Sequence, residues 1–124
     1  MMTKQNSGKS IRIGAGCSVD MTQSLPQMVR SAKLDYLVID FLYEIGIAGM
    51  AADRMDNPDA GFAKIFLSPH LARELTELSR QGVKLIVDAG GLNPLACARA
   101  FEGMCREAGV SFKVAVVYGD DVLD

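Results

Sequence analysis

Four short apolar runs alternate with stretches of helical pattern along this chain, and that order constrains the fold more than any other feature. The runs are IRIGAGC (11–17), DYLVIDFL (35–42), VKLIVD (83–88) and FKVAVVY (112–118). Each is four to eight residues long and rich in β-branched or aromatic residues, as strands buried in a parallel sheet are. Between them lie segments long enough for a crossover. Strand, crossover and parallel strand connect in the right-handed sense. The expected class is therefore α/β, a Rossmann-like parallel sheet of about four strands with helices on both faces. The first strand is expected to be buried.

Helix boundaries follow from cap chemistry. Ser24-Leu25-Pro26-Gln27 reads as a capping box with Pro26 in the first turn, opening a helix that runs to about Lys33. Glu44 to Met55 is helical in pattern and rich in Ala, Ile and Met. Asp56-Asn57-Pro58-Asp59-Ala60-Gly61 is a turn cluster. Ser68 is the expected N-cap of the next helix, with Pro69 at its first position, an apolar stripe at Leu71, Leu75 and Leu78, and a stop at Gly82. Asn93-Pro94 opens the last helix. Cys97, Phe101, Met104, Cys105 and Ala108 share a face of it, and Gly109 ends it.

The expected domain organisation is a flexible leader over 1–10 and one α/β domain over 11–124. A chain of 124 residues with 49% hydrophobic and 23% charged residues can bury a core of its own. A net charge of −2 does not support a nucleic-acid groove. No apolar run reaches the roughly 18 residues of a membrane span, and the polar start lacks the apolar stretch of a signal peptide. Three cysteines without CxxC spacing fit free thiols in a reducing compartment, so a soluble, cytoplasmic protein is expected.

In open parallel sheets, ligands bind beyond the carboxyl ends of the strands. Four junctions therefore carry the candidate chemistry. At the first, Gly14, Gly16 and Cys17 are candidate ligand-binding residues. A dinucleotide fingerprint is not complete there, because Val19 stands where the third glycine belongs, and Gly8-Lys9-Ser10 precedes a strand rather than a helix. At the third junction, Gly90 and Gly91 allow close backbone approach. Asn93 caps a helix whose free N–H groups suit a carboxylate or phosphate, so these three are candidate ligand-binding residues too. Asp40, Glu44, Asp88 and Asp120 fall at strand ends and are the candidate general acids or bases. Glu44, early in an apolar helix, would need a partner if buried. No metal site is assigned, since the single histidine, His70, has no second histidine to join, and no cofactor is indicated. A phospho-receiver is set aside because its paired acids would have to follow the first strand, where this chain has Gly-Ala-Gly-Cys.

The stretches IRIGAG (11–16), LDYLVIDFLYEIGIA (34–48), VDAGGLNPLACARA (87–100) and VAVVYGDDVLD (114–124) resemble the N-terminal domain of the acyclic terpene utilisation AtuA-like family. AGGLNP and GDDV are the most specific of these motifs. The resemblance implies a place in the catabolism of acyclic terpenoids such as citronellol or geraniol, through branched acyl-CoA or carboxylic-acid intermediates. The chain would act as an enzyme or enzyme subunit, or as a non-catalytic binding or assembly subunit. The implied partners are a small-molecule carboxylate or acyl-thioester ligand, and either a second copy of the chain or a partner chain. The fourth-strand edge is the side expected to carry that association.

Overall fold

The computed structural model describes residues 10–120. It is mixed α/β, with a three-stranded parallel sheet in the order β1-β2-β3. The strands are β1 (Ile13–Cys17), β2 (Tyr36–Asp40) and β3 (Lys84–Val87). The helices are α1 (Met21–Ser31), α2 (Glu44–Asp56), α3 (Pro69–Gln81) and α4 (Pro94–Glu107). A 3-10 turn, Lys64–Leu67, precedes α3. In register, Tyr36 lies between Ile13 and Lys84, and Val38 between Ala15 and Ile86. The expected leader, apart from Ser10, and the acids after Asp120 lie outside the described residues.

Helix ends bear out part of the cap reading. Gly82 sits at φ +68° and closes α3, and the Asn93 side chain accepts from the Ala96 N–H at the start of α4. Leu71, Leu75 and Leu78 are buried as their spacing requires. Ser68 occupies the N-cap position of α3 without making the capping bond. The box at Ser24 does not form. α1 begins three residues earlier, at Met21, so Ser24 lies inside it and donates its hydroxyl to Asp20 at 3.0 Å. Asp20 supplies the local acceptor that the Ser24 reading overlooked.

The core lies on one side of the sheet. Leu37 and Ile39 of β2, both essentially fully buried, meet Leu25 and Val29 of α1, Leu71, Leu75 and Leu78 of α3, and Phe101 and Cys105 of α4. Phe66 is at its centre, edge-on to Phe41 with ring centroids 5.5 Å apart and stacked on Phe101 at 5.4 Å. Gly14 and Gly16 share the covered face with Leu37 and Ile39. A β-carbon on Gly14 would lie 2.7 Å from Leu34 Cδ1, and one on Gly16 3.0 Å from Met28 Cε. Glycine at these two positions lets α1 and its exit loop lie directly on β1.

Three expectations need correcting here. First, residues 112–118 form no strand. Phe112 and Val114 pack against the core, with Phe112 5.8 Å from Phe101, but the segment's backbone joins no ladder among the described residues. Its apolar run reports partial burial of alternate side chains; periodicity alone cannot supply a hydrogen-bonding neighbour. Secondly, among the described residues helices do not cover both faces. Ile13 is 63% exposed and Ile86 51%, with Ala15 and Lys84 also exposed on the same face. Thirdly, β1 is therefore not a buried strand. Only its glycine face is covered, and the apolar letters of IRIGAGC belong to the open one.

Candidate functional site

The first three strand-to-helix junctions meet at the carboxyl edge, joined by direct hydrogen bonds. The Ser18 N–H donates to the Asp40 carbonyl at 2.9 Å, linking the first to the second. The Phe41 N–H donates to Asp88 Oδ1 at 2.7 Å, linking the second to the third. Asp40 turns its own Oδ1 back to the Leu42 N–H at 2.9 Å. Both carboxylates are exposed and hold loop backbone in place. Glu44, in the first turn of α2, is exposed, where its charge suits the helix N-terminus and needs no buried partner. Asp120 is exposed at the end of the unpaired 112–120 segment.

Cys17 is half-buried beside Asp40 in register, and both its N–H and its thiol approach Asp20 Oδ1, at 3.3 and 3.6 Å. Asp20 was not among the expected site residues. The Ser24 hydroxyl, followed by the Cys17 N–H, holds its carboxyl below the usual range. Cys97 and Cys105 are buried among helices. Desolvation pushes the Cys97 thiol up to about 11 and raises that of Cys105 as well.

The glycine-asparagine motif at 90–93 is occupied by the protein's own chain. Asn93 Nδ2 donates to the carbonyls of Pro58 and Ala60, both at 2.9 Å, while its Oδ1 caps α4. The Leu92 N–H donates to the Gly61 carbonyl at 2.8 Å, and the Ala63 N–H to the Ala89 carbonyl at 2.8 Å. Arg54 donates to the Leu92 carbonyl. Gly91 adopts φ +49°, and a β-carbon there would sit 2.5 Å from Met50 Sδ and 3.0 Å from the Gly61 carbonyl oxygen. On Gly90 it would lie 2.8 Å from Pro94 Cα. The close approach foreseen for this loop is thus made by residues 57–61.

That docking shapes a cleft next to the junctions. An open cleft of about 260 Å³ lies between the second junction, α2 and the 3-10 turn. Phe41, Tyr43, Met50, Phe62 and Ile65 give it a largely apolar wall, with Ser18 and Val19 at one end and Gly49 on the α2 side. At its polar side Lys64 Nζ lies 2.8 Å from Asp53 Oδ2, and both side chains are about half exposed or more, at 67% and 47%. The sequence reading missed Met50, Phe62, Lys64 and Ile65. For Phe62, Lys64 and Ile65 the signal was the apolar stretch Gly61-Phe62-Ala63-Lys64-Ile65-Phe66, which carries neither a strand nor an α-helix and only enters the 3-10 turn; Met50 belongs to α2.

Among the described residues no group of three or more His, Cys, Asp and Glu side chains is placed to hold a metal ion. Nor is any described helix long and apolar enough to cross a membrane. Comparison with curated proteins and with solved structures returns no match. The family profile described as acyclic terpene utilisation family protein AtuA matches residues 10–124. With that match spanning nearly the whole sequence, the chain belongs to the AtuA family.

Proposed function

We propose that the chain serves acyclic terpene utilisation by holding the branched apolar portion of a terpenoid acid, or of its acyl thioester, in the cleft between α2 and the 3-10 turn. The observation that carries this reading is the composition of that cleft: an apolar wall of Phe41, Met50, Phe62 and Ile65 with one cation, Lys64, beside it. Its volume, about 260 Å³, is near the lower end of small-molecule sites, which run from roughly 300 Å³. Lys64 is paired only across the surface with Asp53. Exposed pairs of this kind contribute little, about 0–1 kcal/mol, so a ligand carboxylate could take the lysine over.

Cys17, Asp40 and Asp88 stand at the same sheet edge and are the residues on which an enzymatic role would depend. A non-catalytic binding subunit is the second reading. It is favoured by the hydrogen bonds that commit Asp40 and Asp88 to loop amides.

Calorimetry and thermal unfolding with citronellate and citronellol test the binding reading. The acid is expected to raise the unfolding temperature, and the alcohol, lacking the carboxylate, to raise it less. At ten times its dissociation constant a ligand stabilises by about 1.4 kcal/mol. Gly49→Leu should abolish the effect. A β-carbon at Gly49 meets nothing within 4 Å, so the leucine can grow into the cleft while improving helix propensity. No shift with either compound at millimolar concentration, or an undiminished shift in Gly49→Leu, would overturn the assignment.

A further inference from the structure

We propose that the open face of the sheet is the docking surface for a second copy of this chain, with the two sheets packed face to face about a two-fold axis running across the strands. The inference is independent of the ligand reading. A parallel sheet ordinarily has both faces covered. Here one face has its core and the other has none among the described residues.

The open face is organised in rows. Register and alternation place Ile13, Tyr36 and Lys84 in a row at the amino end and Ala15, Val38 and Ile86 in the middle row. Cys17 and Asp40 follow at the carboxyl end, and Asp88, one residue beyond the last registered pair of β2 and β3, extends that row. The amino row is cationic and phenolic. Lys84 Nζ lies 5.2 Å from the Tyr36 ring centroid and 3.4 Å from its hydroxyl, with no carboxylate in ion-pair reach among the described residues. The carboxyl row is acidic, and the middle row is apolar.

This pattern is complementary to itself in one orientation. A two-fold axis along the middle row lays the amino row of one copy over the carboxyl row of the other. Lys84 then faces the second copy's Asp88, Tyr36 faces its Asp40, and Ile86 and Val38 meet their own counterparts on the axis. A two-fold interface requires this self-complementarity, and stacked sheets lie about 10 Å apart with their side chains interleaved. Three short strands cover less than the roughly 800 Å² per partner of a standard interface. The dimer is therefore a micromolar one.

Sedimentation equilibrium of the full chain from 5 to 500 µM is the test, with unfolding curves at 5 µM confirming that each variant folds. The chain should move from monomer to dimer across this range. Ile86→Lys, which sets two cations against each other on the axis, should abolish dimerisation. Lys84→Glu should weaken it at least tenfold, and Val117→Lys, outside the face, should leave it unchanged. A monomer at every concentration overturns the proposal. So does association that survives Ile86→Lys and Lys84→Glu, which would place the contact off this face, or that is lost in Val117→Lys alone, which would place it on the 112–118 segment.

Discussion

The two faces of the sheet are built from adjacent residues of the same three strands, yet they obey different constraints. On the covered face, Gly14 and Gly16 are small because α1 leaves no room, and Leu37 and Ile39 are large because the aromatic cluster and the α3 stripe close over them. On the other, Ile13, Ala15 and Ile86 contact no core among the described residues and remain largely exposed. The lesson is that an apolar strand residue marks a surface to be covered without saying what covers it. Half of each strand reports the packing of this chain. The other half forms a surface that the described residues leave largely uncovered.

Truncation should separate the faces most sharply. Leu37→Ala removes a side chain with no exposed surface, and is expected to cost about 3 kcal/mol through lost transfer energy and the cavity left behind. Ile86→Ala, measured in dilute solution, should cost no more than about 0.5 kcal/mol, in the range of ordinary surface substitutions. Chemical denaturation of both variants checks this. Equal losses would mean that the second face is as well covered as the first.

Added bulk should show the same asymmetry on a smaller scale. Gly14→Val pushes branched methyls toward Leu34 and Met28, whose nearest atoms would be 2.7 and 3.1 Å from the new β-carbon alone. An overpacking cost of about 1–2 kcal/mol is expected, part of it relieved because both neighbours are flexible. Ala15→Val, the next residue in sequence, should be neutral or slightly stabilising, since β-branched residues favour strands and nothing of the chain's own core stands above it. Thermal unfolding of the pair gives the comparison directly.

The smallest effect is one of pH, and it belongs to the covered side alone. Burial holds the Cys97 thiol neutral up to about 11 against a reference of 9.0. The folded state therefore keeps a proton that the unfolded state loses first. Stability from this group is intact below about pH 9 and declines between 9 and 11. At pH 10 the loss is about 1.4 kcal/mol. Subtracting the profile of Cys97→Ala isolates it, and identical profiles would show the thiol to be solvated.

Local chemistry made much of the fold legible in the sequence. Pro69, Gly82, Asn93 and Gly109 bracket their helices, and the Leu71, Leu75 and Leu78 stripe is buried where a helical period puts it. The fourth strand was misread because FKVAVVY carries the alternation of a strand, while strand formation needs a neighbour that the letters do not encode. The candidate site was legible in its location and not in its lining. The topology brings Cys17, Asp40 and Asp88 to one edge. Gly90, Gly91 and Asn93, by contrast, looked like a cradle for a ligand and hold the 57–61 loop, because a close-approach loop has the same residue requirements whichever group approaches it. The cleft walls at Phe62 and Ile65 come from tertiary docking, against Met50 of α2, of a segment with no periodicity to announce it.

The docking of that loop on Asn93 also fixes an order of events in synthesis. The walls of the cleft, residues 41–65, leave the ribosome before the side chain that fastens their far end. Asn93 follows Ile65 by 28 positions, a delay of some 1.5–6 s at about 5–20 residues per second. During that interval α2 has few anchors, since Met50 is its only buried residue, and Arg54 and the carbonyls of Pro58 and Ala60 await the same partner region. The nascent chain can thus form β1, α1 and β2 while its cleft is still unassembled. A pause after Phe66 has emerged from the ribosome and before Asn93 has would prolong the exposure of Phe62 and Phe66 to chaperones, whereas a pause before Phe62 emerges would not.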